Sequence, residues 1–358
     1  MRLDRLATPA LILDERALEA NMDAMDALLA GSALRLRPHY KSHKCAALAR
    51  RQIARGAAGM TCAKTEEAAD LVDAGVEDVL IANEVVEPRK IRSAAELALD
   101  CRLTVCVDDG DNARALSAAA AAVGATIHVL VEYEIGMRRC GVTEPEAYLA
   151  LAKLVSSLPG LEYAGIQAYA GHVSHMVTEA ERRTCTEENE KKLRALVDLL
   201  AKNGVPVRTI SGGSTGTAAI KAKSGLYTEL QAGSYLFSDA TYRKLGLPFR
   251  NSLFLLTTVV SRREGLAVLD AGVKSLGVDQ DDPVCLDGDG NEIRAARLEV
   301  NEEHLKLFSP DRDLAVGQRV WLIPGHCCST VNLHERIYAF RDGKVTDRIP
   351  VTARGKSR

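Results

Sequence analysis

Residues 34–44 read Leu-Arg-Leu-Arg-Pro-His-Tyr-Lys-Ser-His-Lys, and this stretch indicates an early strand of an α/β fold. The run Leu34–Arg37 alternates apolar and basic residues, which is the period-two pattern of a strand. Pro38 then ends regular pairing, because proline has no N–H to give to a neighbouring strand. Lys41 therefore falls at or just past the carboxyl end of an early strand, where α/β folds place reactive groups. Taken alone, the stretch also fits a basic, solvated loop.

Beyond this stretch, apolar strand-like runs alternate with alanine-rich or charge-rich helical segments. The strand-like runs lie near residues 34–41, 57–63, 78–83, 103–107, 126–134, 163–169, 207–211 and 228–237. Helical segments between them include 45–55, 65–74, 111–122, 144–155 and 179–202. Strands and helices in this alternation predict an α/β fold with a (β/α)8, TIM-like barrel. A doubly wound parallel sheet is the competing prediction.

The pattern changes from about residue 250, where strand-like runs follow one another without long helical segments. These runs lie at 252–260, 266–270, 319–323 and 336–340, and Asp342-Gly343 predicts a hairpin turn after the last of them. We predict a C-terminal, mostly antiparallel β domain, which the short strand-like run at 10–14 joins. The predicted boundaries are 15–245 for the barrel, and 1–14 with 246–358 for the β domain.

The composition is that of an ordinary globular enzyme, with 47% hydrophobic and 26% charged residues among 358. The net charge of -2 gives no reason to expect nucleic acid or an anionic membrane as a partner. The first residues lack the apolar core of a signal peptide, and no apolar run reaches the ~18 residues of a membrane span. The nine cysteines follow no disulfide framework, which fits a reducing compartment, so we expect a cytoplasmic protein.

Two glycine-containing turns follow the last barrel strands, in Ser211–Thr217 and Gln231–Tyr235. Small residues at the start of a helix present backbone N–H groups to an anion. Two such turns late in a barrel match the phosphate site of that fold. The candidate phosphate-binding residues are Ser214, Thr215, Gly216, Thr217, Gly233, Ser234 and Tyr235. Each turn alone also fits a glycine that only makes a tight turn.

Three further sets of residues could carry chemistry. Arg139 lies between glycines at the end of a strand, where it could meet a ligand oxygen. Tyr169 could cover a flat ring, and His172 could move protons. If strand geometry continues past Ile323, His326 and Cys328 point the same way and offer two zinc ligands on an open, catalytic type of site. In isolation, each set also fits a solvated surface or core packing.

The order of these motifs resembles one family. It runs Arg-Pro-His-x-Lys-x-His-Lys, Gly-x-x-Arg-x-Gly, Gln-x-Tyr-x-Gly-His, Ser-Gly-Gly-Ser-x-Gly-Thr and Gly-His-x-Cys-x-Thr-Val-Asn-Leu-His. This is similar to the fold-type III pyridoxal-phosphate enzymes with an alanine-racemase-like barrel. Within them, the chain resembles the branch of D-threonine aldolases, D-serine dehydratases and D-3-hydroxyaspartate dehydratases or aldolases. The resemblance runs nearly end to end, from Leu6 to Gly355.

The resemblance implies a role for each matching residue. Lys41 would be the lysine that binds pyridoxal 5'-phosphate, Arg139 would approach the phenolic oxygen of the cofactor, and Tyr169 would lie near its ring. The two glycine turns would hold the phosphate. His326 and Cys328 would bind a divalent metal, zinc in the first place, with manganese, cobalt or nickel as alternatives. The family also implies a homodimer and a small D-amino-acid substrate.

Two reactions remain open within this family. A dehydratase would remove the Cα proton with Lys41 and expel the β-hydroxyl, giving a keto acid and ammonia from D-serine or D-threo-3-hydroxyaspartate. An aldolase would break Cα–Cβ and release glycine and an aldehyde. The resemblance associates His-x-Cys with dehydratases and His-x-Asp with aldolases, so Cys328 favours the dehydratase. A non-catalytic pyridoxal-phosphate-binding protein is a third, more distant alternative.

Overall fold

The computed structural model describes every residue from Met1 to Arg358. Its strands are β1 (Ala10–Asp14), β2 (Arg35–Leu36), β3 (Met60–Cys62), β4 (Asp78–Glu84), β5 (Arg102–Val107), β6 (Ile127–Glu132), β7 (Leu161–Ala168), β8 (Thr209–Gly212), β9 (Glu229–Leu230), β10 (Leu253–Arg263), β11 (Leu266–Leu269), β12 (Val284–Leu286), β13 (Glu292–Ile293), β14 (Ala295–Val300), β15 (Leu305–Pro310), β16 (Arg319–Ile323), β17 (Arg336–Arg341) and β18 (Lys344–Pro350). Its α-helices are α1 (Glu15–Leu29), α2 (Ala46–Ala54), α3 (Thr65–Asp73), α4 (Pro88–Leu97), α5 (Gly110–Val123), α6 (Pro145–Ser157), α7 (Glu179–Lys202), α8 (Ala218–Ser224), α9 (Ala240–Arg243) and α10 (Cys327–Asn332).

Eight parallel strands form one sheet, in the order β2-β9-β8-β7-β6-β5-β4-β3. A parallel bridge between His39 and Thr61 joins the segment after β2 to β3, so the sheet closes on itself. Buried Leu80, Cys106, Leu130 and Ala164 pack together within this unit. The structure confirms the predicted TIM-like barrel, and not the competing doubly wound sheet.

Local sequence explains why the barrel helices begin and end where they do. In α7, the Thr178 and Glu181 side chains form a reciprocal capping box with the first backbone amides. In α5, Asp109 accepts hydrogen bonds from the amides of Asp111 and Asn112, and Gly124 ends the helix in the left-handed conformation. These caps fix the lengths of the helices that connect successive barrel strands.

The second sheet is mostly antiparallel and contains strands from both ends of the chain. β1 lies between β10, to which it is antiparallel, and β17, to which it is parallel. The apolar side of this sheet includes Phe254, Trp321 and Phe340, whose rings meet edge to face. Asp342 and Gly343 both have positive φ, which confirms the predicted hairpin turn between β17 and β18. The predicted antiparallel β domain is therefore confirmed.

Contacts divide the chain into two compact units. The β unit comprises Met1–Asp26, Ser42–Cys45 and Ser234–Gly355, and the barrel unit comprises Ala27–Lys41, Ala46–Gly233 and Lys356–Arg358. The domain boundaries near residues 15 and 245 stay a prediction. None of the helices is both long and apolar enough to cross a membrane.

Two details differ from the sequence expectations. The last barrel strand, expected over 228–237, is only Glu229–Leu230, because the chain turns into a short 3-10 helix at Ser234–Leu236. The strand before His326 ends at Ile323, and His326 instead precedes the first residue of α10. Strand geometry therefore does not continue through His326 and Cys328, and this prediction is wrong.

Candidate active site

A cavity of about 250 Å³ lies within the barrel unit. It is lined by His39, Lys41, Ala63, Ala82, Asn83, Arg139, Gln167, Tyr169 and Gln231. Several of these residues end a barrel strand or follow one directly, so the parallel strands gather them at one edge of the sheet. Small alanines beside polar and aromatic side chains leave room for a flat ligand with polar substituents.

Lys41 lies on a short 3-10 helix, Tyr40–Ser42, after β2. The segment before it is anchored by the buried guanidinium of Arg37, which donates to Asp78 at 2.7 Å and to Glu229 at 2.8 Å. Closer to Lys41, its own amide donates to Nδ1 of His39 at 3.4 Å. These contacts fix the backbone from which the Lys41 side chain enters the cavity.

Tyr169 carries two cationic neighbours over its ring. Lys41 Nζ lies 5.9 Å from the ring centroid, and the Arg139 guanidinium carbon lies 5.5 Å from it. Glu134 shapes the loop that carries Arg139, because its carboxylate accepts from the amides of Gly136 and Arg138. The structure therefore brings Lys41, Arg139 and Tyr169 together, as the motif order implied.

His172 is placed differently. It lies on the 3-10 helix Gly171–Val173 and its side chain is exposed. Its Nε2 is 3.7 Å from Sγ of Cys185, and its ring lies against Gly136. His172 does not line the cavity that contains Lys41.

The first predicted phosphate turn is a buried, compact structure. Residues Thr215–Thr217 form a 3-10 helix, and the Thr217 amide donates to the Ser214 carbonyl at 3.2 Å. The hydroxyls of Ser214 and Thr217 are 3.2 Å apart. A side chain at Gly216 would come within 2.2 Å of the Ser174 carbonyl oxygen. Glycine is therefore required at 216 by close backbone packing, whatever the turn binds.

The second turn crosses the division between the two units. Gly233 belongs to the barrel unit, whereas Ser234 and Tyr235 belong to the β unit. The Ser234 carbonyl accepts from the Ser238 amide at 2.8 Å. The Tyr235 ring is buried, with its centroid 5.9 Å from that of Phe249.

His326 and Cys328 form a separate cluster in the β unit. Nδ1 of His326 is 2.6 Å from Oδ2 of Asp279, whose other oxygen accepts from Ser329. Burial alone would lower the pKa of His326, but hydrogen bonds to Cys328 and Asp279 raise it to about 9. Burial raises the pKa of Asp279, yet its hydrogen bonds to Ser329 and His326 outweigh this and lower the pKa.

The start of α10 holds this cluster in place. The buried carboxylate of Asp239 accepts from the Cys327 amide at 2.9 Å, which satisfies a backbone donor of the first turn. Cys328 Sγ donates to Oγ of Ser42 at 3.5 Å. Ser42 is the residue that follows Lys41 in the sequence. A helix start, and not a continued strand, brings the imidazole and the thiol within hydrogen-bonding reach.

Several lining residues were not singled out from the sequence as site residues. Gln231 donates to Oε1 of Gln167 at 2.7 Å and to the Ser211 hydroxyl at 2.9 Å, and all three side chains are buried. His39 and Asn83 also line the cavity. The signal that could have identified them is a polar residue at or after the end of a predicted barrel strand.

Comparisons with known proteins agree with the barrel and the β domain. Residues 13–241 match the family described as alanine racemase, N-terminal domain, and residues 252–340 match the putative serine dehydratase domain. A D-threonine aldolase of Arthrobacter sp is 40% identical, with 99% of this chain and 95% of that protein covered. A 3-hydroxy-D-aspartate aldolase of Paracoccus denitrificans is 38% identical over 98% and 93% of the two chains. The crystal structure of a D-threonine aldolase from Filomicrobium marinum superposes with a TM-score of 0.95 at 39% identity, covering 100% and 98%.

Dehydratases are also among the relatives. A D-threo-3-hydroxyaspartate dehydratase of Delftia sp. is 28% identical over 91% of this chain and 92% of that protein. A solved variant of a D-threo-3-hydroxyaspartate dehydratase, with one cysteine replaced by alanine and described as the metal-free form, has a TM-score of 0.89 at 25% identity and covers 98% of each chain. The chain belongs to the fold-type III, alanine-racemase-like pyridoxal-phosphate enzymes, in the branch of D-threonine aldolases, 3-hydroxy-D-aspartate aldolases and D-3-hydroxyaspartate dehydratases, and it is a lyase.

Proposed function

We propose that the protein is an aldolase that cleaves D-3-hydroxy amino acids such as D-threonine into glycine and an aldehyde. The observation that carries the proposal is the convergence of Lys41, Arg139 and Tyr169 on one cavity. The choice of reaction is supported by relatives at 40% and 38% identity that are aldolases, against 28% for the dehydratase. The greater similarity to aldolases favours the reaction that ranked second on the sequence motifs.

The cavity lining fits pyridoxal phosphate. A lysine amine can bond to the aldehyde, an aromatic ring can cover the pyridine face, and a guanidinium can meet the phenolic oxygen. A volume of about 250 Å³ suits one ring and its substituents, since drug-sized ligands fill pockets from about 300 Å³ upward. The turn Ser214–Thr217 offers hydroxyls and small residues for the phosphate. When bound, the cofactor withdraws electrons from a bond broken at Cα of the substrate.

Four of the lining residues then have a role in the reaction. Lys41 holds the cofactor and later moves a proton at Cα. Tyr169 packs on the ring face, and Arg139 fixes charge at the ring oxygen. Cleavage of Cα–Cβ also needs a base for the β-hydroxyl proton. We assign this base to His39, which lines the cavity with Lys41, and the exposed His172 is the alternative from the sequence motifs.

His326 and Cys328 are the proposed ligands of a divalent metal. Nitrogen and sulfur donors suit zinc in the first place, with manganese, cobalt or nickel as alternatives. Asp279 can fix the His326 tautomer, because a metal-binding histidine usually gives its other ring N–H to a carboxylate. A solved dehydratase relative with one cysteine replaced by alanine is described as the metal-free form, which is consistent with a metal in that relative. A divalent metal held by these two side chains would act as a Lewis acid toward an oxygen atom of a ligand.

A specific observation keeps the dehydratase as the second candidate. This chain carries Cys328 where the resemblance associates aspartate with aldolases. A thiolate gives more charge to the metal than a carboxylate, but this alone does not decide which bond breaks.

Product analysis decides between the two reactions. The purified protein, supplied with pyridoxal phosphate and Zn²⁺ or Mn²⁺, is incubated with D-threonine, D-serine and D-threo-3-hydroxyaspartate. We expect glycine and acetaldehyde from D-threonine in equal amounts, without ammonia. L-threonine serves as the stereochemical control, and the Lys41→Ala protein as the catalytic control. Ammonia and 2-oxobutanoate from D-threonine would replace the aldolase by the dehydratase, and turnover of none of the three would contradict both.

A homodimer and a cytoplasmic location complete the proposal. The dimer is supported by the family resemblance alone, and the location by nine free cysteines without a disulfide framework. Sedimentation of the purified protein at micromolar concentration would test the dimer, and a mass near 38.6 kDa would contradict it.

A further inference from the structure

Two glutamates and an aspartate lie at the carboxyl ends of three neighbouring barrel strands. Glu84 ends β4, Glu132 ends β6, and Asp108 follows β5 between them. Glu132 lies two residues after buried Leu130, so the two side chains point to the same face of the sheet. The sheet therefore directs acidic side chains beside the loop that carries Arg139.

The two glutamates are unusual because oxygen atoms of both are buried without a hydrogen-bond partner. Glu132 is only 4% exposed, and its Oε2 accepts no hydrogen bond. Glu84 Oε1 is likewise buried and without a partner. The other oxygen of Glu132, Oε1, lies 3.7 Å from Nη2 of Arg139. Buried polar atoms in native proteins normally have partners, so these two oxygens need an explanation.

A proton between the two carboxyl groups explains the oxygens that have no hydrogen-bond partner. Neighbouring buried carboxylates cannot both ionise, and one shared proton gives each otherwise orphaned oxygen a partner. Burial and then the charge of Glu84 raise the pKa of Glu132 to about 8, although Arg139 opposes this shift. At neutral pH the pair then carries one negative charge, which faces one guanidinium.

The other titratable neighbours do not change this assignment. Burial raises the pKa of the Cys106 thiol well above its usual range. Burial and Glu84 raise that of Cys140 to about 11, so both thiols are neutral. Asp108 accepts a hydrogen bond from the Gly141 amide at 2.9 Å and adds negative charge that favours a proton on Glu132.

We propose that Glu84 and Glu132 hold a single proton between them, and that the resulting singly charged pair positions Arg139 at the cofactor cavity. Glu132 is thus a positioning residue for the lyase, a role that rests on the proposed function because Arg139 meets the cofactor there. Arg139 is positioned by the single negative charge of the pair. Either glutamate can carry this charge while the other is neutral.

A divalent cation is the competing occupant. The ligand atoms of Glu84, Asp108 and Cys140 lie within 4.8 Å of one another, which is within reach of a metal. Arg139 already supplies a positive charge next to Glu132, so a proton satisfies the orphaned oxygens with less repulsion than a second cation.

The test compares the wild type with Glu84→Gln, Glu132→Gln and the double variant. Glutamine can replace the protonated member of the pair while the other glutamate stays ionised, so each single variant keeps the charge of the pair. Glu187→Gln, an exposed substitution on α7, is the control for an ordinary loss of a carboxylate. Infrared spectra of the cofactor-free protein at pH 7 are recorded in H₂O and in D₂O. Their difference reports whether a protonated carboxylic acid is present, because the C=O band of such an acid shifts in D₂O.

We expect this band in the wild type and in Glu187→Gln, and its loss in each single variant. The dissociation constant of pyridoxal phosphate should stay within about threefold in both single variants. It should rise at least about tenfold in the double variant, because Arg139 loses its charged partner. The infrared band does not depend on turnover, so it separates this proposal from the proposed reaction.

Any of three results would overturn the proposal. The first is a wild type without the protonated-acid band, and the second is a pair of single variants that bind the cofactor as weakly as the double variant. The third is stoichiometric Zn²⁺ or Mn²⁺ that remains bound in a His326→Ala/Cys328→Ala protein and is lost when Glu84→Gln is added. That result would assign the cluster to a metal instead of a proton.

Discussion

The Lys41 ammonium group and the Tyr169 ring face each other across a gap of 5.9 Å within the barrel unit. Arg139 approaches the same ring from the loop after β6, at 5.5 Å. An amine, an aromatic surface and a fixed cation thus come from three separate parts of the chain.

Replacing Lys41 should abolish the reaction and the attachment of the cofactor. Lys41→Arg keeps a cation near Tyr169 but cannot bond to the aldehyde, so both Lys41→Arg and Lys41→Ala should lower kcat by at least about 1,000-fold. The absorbance of the lysine-bound cofactor should disappear, as measured in the visible spectrum. Lys191→Ala, at an exposed position of α7, should leave both measurements unchanged. Turnover that persists in Lys41→Ala would remove Lys41 from the mechanism.

The ring of Tyr169 should matter more than its hydroxyl. Tyr169→Phe keeps the aromatic surface, so the dissociation constant of pyridoxal phosphate should change by less than about threefold. Tyr169→Ala removes it and should weaken binding by about tenfold, given the energy of an aromatic contact. Equilibrium dialysis measures both constants. Equal losses in the two variants would assign the role to the hydroxyl instead.

Asp279 should tune the proposed metal site without being a ligand. Because its Oδ2 lies 2.6 Å from Nδ1 of His326, Asp279→Asn weakens the contact that orients the imidazole. Loss of such a partner typically costs about 10–100-fold in metal affinity. Competition with a fluorescent chelator measures the affinity for Zn²⁺. Asp289→Asn, in an exposed turn, is the matched control, and an unchanged affinity in Asp279→Asn would separate Asp279 from the metal site.

A buried ion pair should control the stability of the barrel unit. Lys221 Nζ lies 3.6 Å from Glu190, and the two side chains are 3% and 6% exposed. Lys221→Met leaves the Glu190 carboxylate buried with only Arg194, at 3.8 Å, to compensate it, which should cost about 3 kcal/mol. Lys221→Met/Glu190→Leu should recover most of this loss, as measured by urea denaturation of the cofactor-free protein. A double variant as unstable as the single one would show that the pair itself is strongly stabilising.

The pH dependence of stability should reflect Glu132. Its pKa is about 8 in the folded protein against an ordinary value of 4.5, so the folded state keeps a proton that the unfolded chain releases. The free energy of unfolding should therefore decrease as the pH rises from about 4.5 to about 8. Glu132→Gln should flatten this part of the profile, as followed by thermal unfolding at several pH values. A profile of unchanged slope in Glu132→Gln would contradict the raised pKa.

Much of the barrel could be predicted from periodicity, because each strand is a short apolar run between helices. Thus α7 was expected over 179–202 and is Glu179–Lys202. The proximity of His326 and Cys328 was also expected, but for the wrong reason, since a helix start and not a strand creates it. Whether strand pairing continues past a proline and a glycine depends on tertiary packing, which a local pattern does not contain.

Other features of the site could not be predicted from local sequence patterns. The pairing of Glu84 with Glu132 depends on strand register, which shifts between Ile81 and Glu84. Gly216 has the sequence signature of a phosphate turn, yet its closest constraint is the backbone of Ser174. Both facts depend on distances between segments that lie far apart in the chain.

The position of β1 in the second sheet has a consequence for biosynthesis. Ala10 pairs with Leu256 and Ile12 with Tyr338, so β1 leaves the ribosome long before either partner strand. At ~5–20 residues per second, this interval lasts on the order of ten seconds or more. During that time an apolar strand of sequence Ala-Leu-Ile-Leu-Asp has unpaired edges, while the barrel strands that follow can pair among themselves. The nascent chain should therefore be most prone to aggregate before β10 and β17 are made, and most dependent on chaperones in that interval.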